Sequence, residues 1–144
     1  MKKYAVFIVF IILLGASTAQ SERLYPESSY QEVWCQKVGG EKGYLLSDKT
    51  YIDCLTEDFA VDFDFADQWA VAIGRALYSA NQTGRNPGIA LIFEDSQSSK
   101  YLFRLLKAIE GSEKQWRVWV VAPDVVYTEL ENLPKIPSLM VPGY

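Results

Sequence analysis

Three aspartates in the middle of the chain lie where two neighbouring strands are predicted. Residues 50–56 and 59–66 have the composition and alternation of strands, and a tight turn separates them. If that turn has two residues, Asp53 lies opposite Asp62, and Asp64 points to the same face as Asp62. Like charges placed directly opposite one another are destabilising. The three carboxylates therefore need a nearby cation or free access to water.

Two cations are candidates for this acidic group, a metal ion and an arginine. Mg²⁺ and Mn²⁺ take oxygen ligands, so Asp53 and Asp62 are the predicted metal ligands. Arg75, on the helix that is predicted to follow, is the alternative cation. A third interpretation leaves the aspartates on a solvated face that carries no chemistry.

The composition narrows the chemistry that is open to this chain. It has 144 residues, of which 14 are Lys or Arg and 18 are Asp or Glu, and it contains no histidine. Histidine-based triads, histidine zinc sites and a histidine general base are thereby excluded. The net charge of −4 gives little support to a nucleic-acid partner. Any catalysis must use carboxylates, Lys, Arg, Tyr or the two cysteines.

The first 19 residues are typical of a signal peptide. Two lysines precede an unbroken apolar run at 4–14, and small residues follow at 15–19 before Gln20. The run is shorter than the ~20 apolar residues that span a bilayer. We therefore expect cleavage, and a periplasmic or secreted protein of a bacterial host without an integral membrane segment. An uncleaved segment that tethers the protein is the alternative.

Export also bears on the two cysteines, Cys35 and Cys54. An even pair in an oxidising compartment can form a disulfide. Two buried free thiols are the alternative, because cysteine also packs as a small apolar residue. We expect neither cysteine to act as a nucleophile, since there is no histidine to activate it.

The remaining residues have the pattern of alternating helices and strands in one domain at 20–123. In chain order, the predicted elements are a helix at 26–38, strands at 44–46, 50–56 and 59–66, a helix at 68–82 with Asp67 as its N-cap, a strand at 88–93, a helix at 98–109 and a strand at 117–122. Residues 124–144 contain several prolines and are predicted to form an extended tail. An antiparallel meander followed by a βαβ crossover gives an α/β fold, with a mixed sheet flanked by helices.

The predicted order of elements, with its acidic hairpin, resembles that of the PD-(D/E)XK (restriction-endonuclease-like) nuclease superfamily. Short motifs are similar to those of a small bacterial group within it: Trp34-Cys35, Gly39-Gly40-Glu41, Tyr51-Ile52-Asp53-Cys54-Leu55-Thr56, Ala60-Val61-Asp62-Phe63-Asp64-Phe65-Ala66 and Ala72-Ile73-Gly74. The resemblance covers about residues 24–123. It implies a three-layer core and metal-dependent hydrolysis of phosphodiester bonds in nucleic acid.

The resemblance also implies roles for individual residues. Asp53 matches the first metal-binding aspartate and Asp62 the second acidic position, with Mg²⁺ or Mn²⁺ as the ion. Glu32, on the first helix, matches the acidic residue that completes such a site. The lysine expected two residues after the second acid is Asp64 here, which leaves Arg75 as the group that would stabilise developing charge.

Two functions are therefore open for the chain. One is an exported, metal-dependent phosphodiester hydrolase. The other is a catalytically inactive, exported binding domain on the same scaffold, in which Arg75 neutralises the acidic group and a disulfide stabilises the fold. The missing lysine bears on the choice, because it normally orients or activates the attacking water. The hydrolase would have to work without it, whereas the inactive domain does not need it. Pairing of Asp53 with Arg75 would favour the inactive domain.

Overall fold

The computed structural model describes residues 22–124 and 138–140. Its elements are α1 (Glu27–Val38), β1 (Glu41–Leu45), β2 (Tyr51–Leu55), β3 (Phe59–Phe65), a 3₁₀ turn (Ala66–Gln68), α2 (Trp69–Thr83), β4 (Asn86–Ile92), α3 (Ser98–Ile109), β5 (Arg117–Val121) and β6 (Ser138–Met140). The predicted signal peptide and most of the predicted tail lie outside these residues. The order from α1 to β5 agrees with the prediction, whereas β6 places a strand in the region that was expected to be an extended tail.

The six strands form one sheet in the order β1 to β6. β1, β2 and β3 are antiparallel neighbours, β3, β4 and β5 are parallel, and β6 is antiparallel to β5. The α/β class and the mixed sheet are therefore confirmed. β4 lies between two parallel neighbours and is buried along almost its whole length, which explains its continuous apolar sequence.

Alternation along β3 decides which side chains meet which helix. Phe63 belongs to an apolar cluster under α1, with Tyr30 and Trp34 of that helix. On the other face, Ala76 of α2 and Leu105 of α3 belong to a second cluster. The molecule thus has three layers, with α1 on one side of the sheet and α2 and α3 on the other.

A disulfide joins Cys35 of α1 to Cys54 of β2, with the two Cα atoms 5.7 Å apart. The predicted alternative of free thiols is therefore wrong. Gly40 passes so close to the bond that a side chain there would meet both sulfur atoms. The disulfide closes a loop of about 20 residues, and cross-links of that size contribute about 3 kcal/mol to the free energy of unfolding.

The start of α2 differs from the prediction. Asp67 is not its N-cap, because Asp67 lies within the 3₁₀ turn, and Gln68 precedes the first helical residue without a side-chain capping hydrogen bond. Arg23 lies before α1 and donates through Nη2 to both carboxylate oxygens of Asp67, at 2.6 and 2.7 Å. Arg23, which is distant in sequence, therefore holds the Asp67 side chain that the local sequence pattern had predicted to cap α2.

The end of α2 agrees with the prediction. Gly84 follows the helix with φ 69°, a left-handed conformation that glycine adopts without strain. Among the described residues, no helix is both long enough and apolar enough to cross a membrane.

Candidate functional site

The β2–β3 hairpin has the predicted register, and this register brings the aspartates together. Cys54 pairs with Val61 and Leu55 with Ala60, which is the alignment that places Asp53 opposite Asp62. The backbone pairing ends there. Asp53 instead turns its side chain to β3, where its Oδ2 accepts a hydrogen bond of 2.7 Å from the Phe63 amide. The open end of the hairpin therefore carries a carboxylate in place of a backbone hydrogen bond.

The guanidinium of Arg75, which projects from α2, lies among all three aspartates. Its Nη2 is 2.8 Å from Asp53 Oδ2 and 3.5 Å from Asp62 Oδ1. Its Nη1 is 3.2 Å from Asp64 Oδ2 and donates a hydrogen bond of 3.0 Å to the carbonyl oxygen of Phe63. One planar cation thus bridges two strands and a helix, as the five donors of arginine allow.

A fourth carboxylate belongs to this group, and sequence analysis missed it. Glu27 is the first residue of α1, and its pKa is raised to about 7 by burial, with repulsion from Asp53 and Asp64 adding to the rise. Its Oε1 accepts a hydrogen bond of 2.8 Å from Gln31. We call Glu27, Asp53, Asp62, Asp64 and Arg75 the Arg75 cluster.

Helical phase could have identified Glu27 from the sequence. Glu27 lies seven residues before Trp34, which places both side chains on nearly the same face of α1. Trp34 is buried against the sheet, so Glu27 must point toward the sheet as well. The sheet-facing stripe of α1 thus extends back to the first turn of the helix and includes Glu27.

Glu32, by contrast, is not part of the cluster, and the expectation for it is corrected. Its side chain is 63% exposed and forms a salt bridge with Lys42 of β1. Glu32 follows Glu27 by five residues, which turns it about 140° around the helix. It therefore lies on a different face of α1 from the one that meets the sheet.

Burial raises the pKa of the two β3 aspartates. Asp62 is 1% exposed, and its Oδ2 has no hydrogen-bond partner among the described residues. Burial raises the pKa of Asp62 to about 6, against the lowering effect of Ser79 and Arg75. Burial likewise raises the pKa of Asp64 to about 6, although Arg75 lowers it. Both carboxyls are therefore half protonated about one pH unit below neutral.

The other two members of the Arg75 cluster, Asp53 and Arg75, also have shifted pKa values. Burial raises the pKa of Asp53, although the Phe63 amide and Arg75 lower it. Burial alone would lower the pKa of Arg75, but attraction to the surrounding carboxylates raises it above its usual value. The guanidinium is therefore permanently charged, and four carboxylates share it. It cannot serve as a general base.

The predicted metal site does not fit this arrangement. Asp53 and Asp62 were expected to bind Mg²⁺ or Mn²⁺, but Nη2 of Arg75 lies 2.8 Å from Asp53 Oδ2 and 3.5 Å from Asp62 Oδ1. Within residues 22–124, no group of three or more Asp, Glu or Cys side chains is arranged to hold a metal ion. A divalent ion could enter only if the guanidinium moved away.

Comparison with protein-family models, with curated proteins and with solved structures gives no significant match. The resemblance to the nuclease superfamily therefore stays a hypothesis from sequence motifs, and a fold alone does not determine a function.

Proposed function

We propose that this chain is an exported, catalytically inactive binding domain on a scaffold similar to the PD-(D/E)XK nucleases. The observation that carries the proposal is the 2.8 Å ion pair between Arg75 and Asp53. In this interpretation the arginine is a built-in counter-ion that takes the place of a metal. The cluster then fixes the position of α2 on the sheet and has no part in chemistry.

The residues available for catalysis support this interpretation. Asp64 stands where the resemblance expects a lysine, and a carboxylate repels an anionic phosphate instead of stabilising it. Gln68, which directly precedes α2, is exposed and uncharged and so cannot supply the missing cation. The cluster therefore lacks the lysine that the resemblance expects beside the attacking water.

Buried ion pairs of this kind are better suited to specificity than to stability. Removing charges from water costs more than their attraction returns in many proteins, yet a partnered cluster disfavours every packing that leaves a charge alone. Arg75 contacts two strands from one helix. Its position thus selects one alignment of α2 over the hairpin.

The metal-dependent hydrolase is the alternative, and one observation favours it. Three aspartates lie within 3.5 Å of a single guanidinium, and Glu27 adds a fourth carboxylate whose charge reaches it. Asp62 Oδ2 is buried without a hydrogen-bond partner among the described residues. Because the Arg75 side chain is 35% exposed, it has access to solvent. The alternative requires Arg75 to leave the aspartates when a metal binds.

Calorimetric titration of Mn²⁺ and Mg²⁺ into the mature domain distinguishes the two functions. We expect no site-specific binding at millimolar metal, in the wild type or in Asp53→Asn. Stoichiometric binding that Asp53→Asn abolishes and Glu32→Gln preserves would overturn the proposal. Glu32→Gln is the matched control, because it removes one carboxylate at an exposed position outside the cluster.

A nuclease assay completes the test. Single-stranded and duplex DNA and RNA are incubated with the wild type and with Asp53→Asn in the presence of Mn²⁺. Equal background cleavage by the two proteins is the expected result. Cleavage that only the wild type supports would establish the hydrolase and reject an inactive domain.

A further inference from the structure

The outward face of α3 carries a basic stripe that the Arg75 cluster does not use. The inward face of the helix is apolar, with Leu105 and Ile109 buried against α2 and the sheet. The outward face has three exposed cations and one exposed aromatic ring, Lys100, Phe103, Arg104 and Lys107. These four residues, which we call the α3 stripe, are spaced three and four apart and so lie along one side of the helix.

The charge of α3 is opposite to that of the chain as a whole. The helix contains three cations and no acidic residue, although the chain has a net charge of −4. Lys107 pairs with Glu110 just beyond the helix, at 2.7 Å. Lys100 and Arg104 lie over the ring of Tyr101, with 4.7 and 5.7 Å from the charged group to the ring centroid. α3 is therefore a basic helix within an acidic protein.

Phe103 is the feature that a solvated basic helix would not need. Its side chain is 63% exposed, and it lies between Lys100 and Lys107 along the helix. The four positions span about 10 Å at 1.5 Å per residue. A helix face is convex, so the stripe suits a broad, flat, anionic surface that also accepts an apolar ring.

We propose that the α3 stripe binds an anionic phospholipid surface. The cations contact the phosphate groups, and Phe103 inserts at the boundary between headgroups and acyl chains, as in helices that lie in the membrane interface. Nucleic acid fits less well, because single-strand binders hold bases along a groove, whereas Phe103 stands on the crest of a helix. This inference builds on the proposal of an exported binding domain and uses no residue of the Arg75 cluster.

Sedimentation with vesicles tests the proposal on the mature chain. The vesicles are mixtures of phosphatidylglycerol and phosphatidylcholine, compared with phosphatidylcholine alone. We expect binding to the anionic vesicles only, and loss of binding at about 1 M salt, where the screening length falls to about 3 Å. Binding that ignores lipid charge, or no binding to either vesicle, would overturn it.

Variants of the stripe locate the contact. Each Lys or Arg near an anionic surface contributes about a fivefold factor in affinity, so Lys100→Glu with Arg104→Glu and Lys107→Glu should weaken binding by about a hundredfold or more. The matched control has the same net charge: Lys49→Glu with Arg85→Glu and Lys114→Glu, all at exposed positions elsewhere. Equal losses in the two triple variants would show that net charge alone is responsible and would reject the stripe.

Two further measurements keep the test decisive. Phe103→Ser leaves the charge unchanged and should weaken vesicle binding by about tenfold, since the apolar insertion is lost; unchanged binding would reject insertion. If the triple variant fails to fold, Lys100→Gln with Arg104→Gln tests the same surface. Tighter binding to single-stranded DNA than to vesicles would replace the lipid by nucleic acid.

The outcome is independent of the metal titration. Asp53→Asn changes the Arg75 cluster and leaves α3 untouched, so we expect it to bind vesicles as the wild type does. Failure of vesicle binding with no metal binding would reject only the lipid surface. Metal-dependent cleavage with intact vesicle binding would reject only the inactive domain.

Discussion

The two faces of β3 pack against their helices through different kinds of side chain, aromatic on one face and charged on the other. On the α1 face, Phe63 meets Trp34 edge to face with ring centroids 5.5 Å apart, and a disulfide lies nearby. On the α2 face, the neighbouring residues Asp62 and Asp64 meet Arg75. The α1 side of β3 is thus held by apolar contact with a covalent bond nearby, whereas the α2 side adds to its own apolar cluster a group of charges that had to leave water.

The difference shows that stability and alignment are supplied separately in this fold. Apolar burial is roughly proportional to area and tolerates small shifts. An ion cluster gives less net stability but penalises any shift that strands a buried charge. We therefore expect the apolar contacts between β3 and α1 to contribute more to the free energy of unfolding than the Arg75 cluster does, and the cluster to determine how α2 lies on the hairpin.

The largest expected effect is on the α1 face. Trp34→Ala should lower the free energy of unfolding by about 4 kcal/mol, because a buried aromatic side chain is replaced by a cavity. Urea denaturation monitored by circular dichroism measures it. Val38→Ala, at an exposed position on the same helix, is the control and should cost less than about 0.5 kcal/mol. A loss below about 1 kcal/mol for Trp34→Ala would contradict the expectation that apolar packing against α1 contributes strongly to the free energy of unfolding.

The next largest effect is on the α2 face. Arg75→Ala leaves the carboxylates of the cluster without their cation and should cost about 3 kcal/mol, near the low end for broken buried pairs because Arg75 is partly exposed. Arg85→Ala, at an exposed position, is the control. The same urea experiment at pH 8 measures both.

Recovery in a double variant shows whether the loss comes from unpaired charge. Adding Asp62→Asn to Arg75→Ala removes one of the stranded carboxylates, so the double variant should regain part of the lost stability. Additive losses from the two changes would mean that Arg75 acts through packing, and the contrast between the two faces would then disappear.

Much of the fold follows from local pattern. The apolar run of β4 and the amphipathic residues 98–109 of α3 predict their elements closely. A strand that is buried on both faces has a continuous apolar sequence, whereas a helix that is buried on one face has an apolar residue every three or four positions. The hairpin register also follows from a single turn length. Hence the meeting of Asp53 with Asp62 could be foreseen from their positions in the sequence.

The parts that pattern did not predict depend on contacts between distant segments. Asp67 is held by Arg23, 44 residues away, so capping preference gave the wrong role. The partner of Glu32 is Lys42 on an edge strand, and this pair lies outside the cluster. The choice between Arg75 and a metal ion needed the position of α2, which the sequence of the hairpin does not contain.

The smallest expected effect concerns pH and acts through the carboxylates of the Arg75 cluster. In the folded protein, burial raises the pKa of Glu27 to about 7 and the pKa values of Asp62 and Asp64 to about 6. Each group therefore binds its proton more tightly when folded than when unfolded, where carboxyl pKa values are about 4. Their contribution to stability is full below pH ~4 and is lost as the pH rises through 6 and 7. The domain should thus be more resistant to urea at pH 5 than at pH 8, opposite to the usual behaviour of salt-bridged carboxylates.

Glu27→Gln isolates one part of this pH dependence. The variant cannot lose a proton, so its urea midpoint should fall less steeply between pH 6 and pH 8 than that of the wild type. At pH 8 it should be the more stable protein by about 1 kcal/mol, since solvent screens much of the effect at a half-buried side chain. Glu32→Gln provides the control, because the exposed Glu32 lies outside the cluster and should leave the wild-type slope unchanged. Parallel pH profiles for the wild type and Glu27→Gln would mean that Glu27 is solvated. The first turn of α1 would then belong to the apolar face alone, and the acidic cluster would be confined to the residues of β2 and β3.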